Sequence, residues 1–174
     1  SVSLRKWKSS LRPCDAAAQA PKARRDGGAN VPVSCFRWPQ DGQGDAAMRV
    51  IHTADWHLGQ ELRGFSRAAE HALFLDWLIA LCADRSPDAV VIAGDLFDTA
   101  NPSAEALGLF ARFAERVRAA CPATTIIAVA GNHDGAGRFD ALAPAMRAGV
   151  RLIGAAPRTE DAGARLLIPA GDGH

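Results

Sequence analysis

Residues 89–98 read AVVIAGDLFD. A run of five apolar residues closed by a glycine and a carboxylate is the pattern of a short strand buried on both faces. Pro87 punctuates the chain just before it. The same pattern recurs on either side. Residues 125–130 (TIIAVA) run into Gly131-Asn132-His133-Asp134, and residues 49–53 (RVIHT) run into Ala54-Asp55-Trp56-His57. Between these runs the period changes to that of helices. Residues 68–82 place Leu73, Phe74, Trp77, Leu78 and Leu81 at helical spacing. Asn101-Pro102 offers an N-cap and a first-turn proline for a helix reaching about Ala120, with Leu107, Phe110, Ala114 and Val117 inward. A shorter helix is expected over 138–148, with weaker strands over 150–153 and 164–168. Strand, helix, strand, helix, strand is the signature of a βαβ-built α/β domain.

Each strand therefore ends in a polar word: D-x-H at Asp55 and His57, G-D-x-x-D at Asp95 and Asp98, and G-N-H-D at residues 131–134. In open α/β sheets the carboxyl ends of the strands line the ligand crevice, so the three words should converge in space. Carboxylate, imidazole and amide oxygen together suit divalent Mn, Fe or Zn rather than a thiolate-seeking ion. Asp55 and His57 would leave the same side of an extended turn, and Asp95 could bridge two ions. Gly94 and Gly131 lack a Cβ just before a ligand, which allows a tight turn and close approach. Two cations about 4 Å apart can generate a hydroxide and neutralise phosphate oxygens in an in-line displacement. Any one of these words is usually only a turn former. The ordered triple, each word closing an apolar strand, argues for chemistry.

That triple resembles the calcineurin-like metallophosphoesterases. The wider words narrow the resemblance: residues 48–60 (MRVIHTADWHLGQ), 93–100 (AGDLFDTA) with Asn101-Pro102, 130–134 (AGNHD), and Glu70-His71 leading into 74–78 (FLDWL) are similar to the SbcD family of bacterial DNA nuclease subunits. The resemblance implies a β-sandwich flanked by helices, of which this chain holds the N-terminal βαβαβ half. It implies Asp55 and His57 as ligands of one metal, Asp95 as a bridge and Asn132 on the second metal. His133 would face the scissile phosphate and protonate the leaving oxygen, with Asp134 as its orienting partner and Asp98 shaping the loop. Two divalent ions, manganese by preference, would serve exonuclease and endonuclease chemistry on DNA. The implied setting is cytoplasmic DNA repair, recombination and replication, as a homodimer with an SMC-like ATPase of the SbcC type.

The family pattern also carries a later Gly-His element and a G-H-x-H element. After Asp134 the only histidine is His174, for which no role is expected. Asp55, His57, Asp95 and Asn132 alone cannot close two coordination spheres. The expectation is an N-terminal piece of the nuclease domain, spanning residues 48–174, inactive alone and leaving an apolar face or edge strand exposed. The alternatives are a generic metallophosphoesterase acting on nucleotides or phosphoproteins, and a non-catalytic product that at most dimerises or binds its partner.

Charge is unevenly spread over the 174 residues. Residues 1–47 hold eight Lys/Arg against four Asp/Glu, and the remainder holds 12 against 15. The basic stretch shows no sustained period of 2 or 3.6. Residues 15–28 and 39–47 read as disordered, and the whole of 1–47 as an extension ahead of a natural start at Met48. No apolar run approaches the ~20 residues that cross a bilayer, so no membrane role is expected. Cys14, Cys35, Cys82 and Cys121 lack metal or redox spacing and read as reduced thiols. His52 and His71 read as structural. Trp56 packs beneath the metal turn or meets DNA, and the loop of Arg63 and Arg67 could touch phosphate.

Overall fold

The computed structural model describes residues 12–13, 32–39, 47–146 and 148–155. The expected strand over 164–168, Cys14 and the stretch 15–28 lie outside them. One six-stranded sheet organises the chain, with a two-stranded ribbon beside it. In chain order, β1 (Arg12–Pro13) and β2 (Val33–Pro39) precede β3 (Ala47–Thr53). The ribbon strands β4 (Glu61–Leu62) and β5 (Phe65–Ser66) come next, then helix α1 (Ala68–Arg85) and β6 (Ala89–Ala93). Helix α2 (Ala104–Ala120), β7 (Thr125–Val129), α3 (Ala136–Leu142), a 3-10 turn (Ala143–Ala145) and β8 (Val150–Ile153) complete it.

The sheet order is β1-β2-β3-β6-β7-β8, with β3, β6, β7 and β8 parallel and β1 and β2 antiparallel at one edge. Parallel strands laid down in sequence through right-handed crossovers put their helices on one face. Burial follows that rule. Ile51, Val90, Ile92, Ile126, Ala128, Val150 and Leu152 point into a single core with α1 and α2. On the other face Ala89 and Ile127 are buried, Val91 and Ile153 are half-buried, and Val129 is exposed. The α/β class and the βαβαβ half-domain are thus in place. The continuous apolar runs, read as strands covered twice, are covered fully on the helical face only among the described residues.

Three local readings change. The buried stripe of α1 is His71, Leu75, Leu78, Ile79 and Cys82. Phe74, Trp77 and Leu81 border the core, whereas Leu73 is exposed. The helix packs against both the sheet and α2, so its contact face turns toward both and away from position 73. Helix α2 is capped by Ser103, whose hydroxyl accepts from Ala106 N at 3.2 Å. Asn101 instead accepts from Arg138 Nη2 at 2.6 Å, tying the start of α2 to α3. Finally, residues 33–39, read as part of an extension without a period, pair with β3 along its whole length, Val33 opposite Thr53 and Pro39 opposite Ala47.

Cys82 sits at the α1–α2 contact, where its carbonyl accepts from Cys121 Sγ at 3.3 Å. Burial, with the Cys121 and Cys35 thiols nearby, pushes its thiol up to about 12. Only a thiolate attacks alkylating reagents, so Cys82 should stay unlabelled by iodoacetamide at pH 8 and react after unfolding in urea. Peptide mapping that finds native-state labelling would show that α1 does not pack this way.

Candidate metal centre

The loops after β3, β6 and β7 are laced together before any side chain is considered. Asp55 N donates to Gly94 O at 3.2 Å, His57 N to Asp95 O at 3.0 Å, Leu58 N to Leu96 O at 3.0 Å, and Gly94 N to Val129 O at 3.0 Å. The lacing holds Asp55, His57 and Asp95 in the left-handed region, with φ of 57°, 47° and 45°. Non-glycine residues reach that region at some cost and are held there by their surroundings, typically where function requires it. The turn of Asp55 and His57 is therefore not extended. The two left-handed residues, separated by the buried Trp56, bring both side chains to one place all the same.

One oxygen or nitrogen from each of Asp55, His57 and Asp95 lies within 4.8 Å of the others. His57 Nε2 and Asp95 Oδ2 are 4.0 Å apart. That is too wide for a hydrogen bond and within the span of two donor bonds of about 2.1 Å to one ion. Mixed imidazole and carboxylate donors suit a borderline divalent cation, so the residues fit the metal that their sequence pattern implies. Asn132 is exposed, and the next residue, His133, donates its backbone N–H to Asp95 Oδ1 at 2.9 Å.

His133 has an exposed ring that stands edge-on to His57, with centroids 4.9 Å apart. Its Nδ1 lies 3.0 Å from the backbone oxygen of Asp98. That hydrogen bond, with the carboxylates of Asp95, Asp98 and Asp134 nearby, raises its pKa above the ordinary value. Asp134 does not serve His133 as the expected partner. Its buried carboxylate takes Leu96 N at 3.0 Å, Phe97 N at 2.9 Å and Gly131 N at 2.9 Å, so it knots two loops rather than orienting the ring.

The Calcineurin-like phosphoesterase family matches residues 48–168, a span that contains every one of these loops. The chain belongs to the calcineurin-like phosphoesterase family. Curated relatives, each the SbcD component of the nuclease SbcCD, are similar to it. The Rhodobacter capsulatus protein is 46% identical over 113 residues, covering 64% of this chain and 28% of the relative. The Bacillus subtilis protein is 46% identical over 116 residues, covering 65% and 29%. The Escherichia coli K12 protein is 44% identical over 87 residues, covering 50% and 21%. The chain thus spans less than a third of the length of these relatives.

Around the phosphoesterase site the open readings resolve. Trp56 packs beneath the metal turn, fully buried, with its indole N–H on Thr53 Oγ1 at 2.9 Å and its ring edge-on to Phe74 and Phe113. Arg67 is 8% exposed and committed to Gln60 and Glu70, so it does not reach out to phosphate. Arg63 stays exposed in the ribbon turn. His52 is half-buried on the face away from α1. The sequence reading missed Gln60 and Arg67 as supports of the site, although the word H-L-G-Q placed Gln60 three residues after His57.

His71 is buried, with no hydrogen-bond partner on either ring nitrogen among the described residues. Burial, helped by the Arg67 charge, lowers its pKa below 6.5. The unfolded chain accepts that proton near pH 6.5 and the folded chain resists it, so the stability concerned is present above 6.5 and lost as pH falls below it. His133, with its raised pKa, shifts stability the opposite way. The expected result is therefore a difference: His71→Gln should lose less stability than wild type between pH 7 and pH 5 in urea titrations. Parallel losses would clear His71 as the source.

Proposed function

We propose that this phosphoesterase is a metal-dependent DNA nuclease of the SbcD type, hydrolysing phosphodiester bonds in cytoplasmic DNA repair and recombination. The observation that carries the reading is the convergence of Asp55 and His57, after β3, with Asp95, after β6, within 4.8 Å of one another. The likeness to nuclease subunits supports DNA as substrate, and it supports a homodimer working with an SbcC-type ATPase. Asp55 and His57 would hold one ion, Asp95 would bridge, and Asn132 would hold the second, with manganese the preferred metal. Bound divalent ions neutralise phosphate oxygens and lower the pKa of water. The chain's own residues do the rest. Asp95 is fixed through its Oδ1 by the His133 amide, leaving Oδ2 toward His57. His133 offers Nε2 to a leaving oxygen. With Nδ1 donating to the Asp98 carbonyl, Nε2 carries a proton only in the imidazolium, the form that this carbonyl favours.

The four donors named are fewer than two ions take up, so further ligands would have to complete both coordination spheres. The test is manganese-dependent cleavage of linear duplex DNA. In the active form His133→Ala should lower the rate by about 10²–10⁴, the usual share of a general acid, and leave manganese binding unchanged. Retained activity would remove His133 from the chemistry. Faster turnover of phosphate monoesters than of DNA would favour a generic phosphoesterase.

A further inference from the structure

His57 shows its two ring nitrogens to two different carboxylates. Nε2 faces Asp95 on the ligand side, 4.0 Å from Oδ2, and Nδ1 faces Asp98 on the other, 3.3 Å from Oδ1. Nδ1 is shut off from solvent and has no aligned hydrogen-bond partner at rest. Contacts of this kind are often long or poorly aligned before a site is loaded.

Asp98 is itself held from behind. Gln60 Nε2 donates to the same Oδ1 at 3.3 Å, and Gln60 Oε1 accepts from Arg67 Nη1 at 2.6 Å. The Arg67 Nε donates to Glu70 Oε2 at 2.8 Å, anchoring the guanidinium to the first turn of α1. Main-chain bonds brace the same path. Gln60 N donates to His57 O at 3.0 Å, Arg67 N to Gln60 O at 3.2 Å, and Asp98 N to Leu58 O at 3.2 Å. A continuous polar chain thus runs from helix α1 through Arg67, Gln60 and Asp98 to the far side of the His57 ring.

We propose that Arg67, Gln60 and Asp98 form a positioning relay that holds His57 as its Nδ1–H tautomer, leaving Nε2 unprotonated and aimed at Asp55 and Asp95. The inference rests on the metal-centre reading above and adds the residues that make one of its ligands competent. A ligating imidazole must present a lone pair, and the group hydrogen-bonded to its other nitrogen decides which nitrogen that is. His57, Asp98 and His133 also lie close enough together to be weighed as a cation site in their own right. Two contacts count against it. Asp98 Oδ1 already receives the Gln60 amide, and the Asp98 carbonyl faces His133 Nδ1, so Asp98 and His133 are already engaged. Asp98 is thereby a positioning residue and not a ligand.

The tautomer can be read without metal or turnover, from imidazole ¹⁵N shifts of the labelled, metal-free 174-residue chain. His57 in wild type should be protonated on Nδ1. Asp98→Ala should move the proton toward Nε2, and Arg67→Ala and Gln60→Ala should do so in part. A manganese titration followed by paramagnetic broadening at His57 should need about 10–100-fold more ion in Asp98→Ala, the usual effect of losing a partner behind a ligand. A wild-type His57 protonated on Nε2, or a ratio unmoved by Asp98→Ala, overturns the relay. Lost manganese binding with an unmoved tautomer would make Asp98 a ligand and also overturns it. If Asp98→Ala does not fold, Gln60→Ala and Arg67→Ala decide, and an unchanged ratio in both rejects the proposal. Absence of any broadening in wild type would count against the metal-centre reading, and the tautomer would still decide the relay.

Discussion

Asp134→Ala is expected to cost roughly 3 kcal/mol or more of folding stability and to scatter the loops of the candidate metal centre. The side chain is 7% exposed and accepts from the amides of Leu96, Phe97 and Gly131. Removing it leaves three N–H groups without that acceptor in a poorly hydrated place. Each buried donor left unpaired costs about 1–3 kcal/mol, and the whole stability of a small domain is only about 5–15 kcal/mol. The amides it releases belong to the loops that carry Asp95 and Asn132, so manganese binding should fall along with stability. Asp134→Asn keeps one acceptor oxygen but turns an NH2 group toward an amide, and should fall between alanine and wild type. Urea midpoints order the three variants. A loss below about 1 kcal/mol for Asp134→Ala would mean that the amides find other partners.

Much of this was legible in the residues themselves. The runs at 89–93 and 125–129 are almost wholly apolar, that at 49–53 is apolar at Val50 and Ile51, each leads into glycine or carboxylate, and β3, β6 and β7 close over those positions. The clusters at their ends converge because parallel strands deliver their carboxyl ends to one edge of the sheet. What escaped reading was decided by tertiary contact. In VSCFRWP, Val33 and Cys35 keep a period of two until Phe36 breaks it, and β2 forms because the edge of β3 offers it a partner. Leu73 fits the helical spacing of its neighbours as well as Leu75 does, but only the placement of α2 shows which of them faces the core. The family resemblance implied Asp134 as the partner of His133. The tight 131–134 turn instead folds that carboxylate back onto Gly131 N, and the Asp98 carbonyl, from a different loop, meets the ring.

The glycines of the site make the second large prediction, because their effects should differ for reasons that coordinates distinguish and sequence does not. A Cβ built on Gly131 would stand 2.2 Å from Asp95 Oδ1 and 2.4 Å from Asp95 N. Neither atom is the loose end of a side chain. Oδ1 holds the His133 amide, and the Asp95 backbone is fixed in the left-handed region by the lacing of the loops. Overpacking usually costs about 1–3 kcal/mol, and a clash with an immobile neighbour belongs at or above the top of that range. Gly131→Ala should therefore lower the melting temperature sharply and push Asp95 off its position, weakening manganese binding as well. Gly94→Ala meets only Gly131, at 3.4 Å from its Cα and 3.9 Å from its N, but its φ of +96° lies where an L side chain is strained. Its penalty should be intermediate, about 1–2 kcal/mol. Gly137, inside α3 with nothing within 4 Å of a Cβ, is the control. Alanine there should be neutral or stabilising by about 0.5–1 kcal/mol, as alanine is in a helix interior. Circular-dichroism melts of the three variants test the order 131, 94, 137. A Gly131→Ala chain as stable as the Gly137→Ala chain would mean that the loops after β6 and β7 are not pressed together as described, and the convergence of Asp95 with the β7 loop would lose its support.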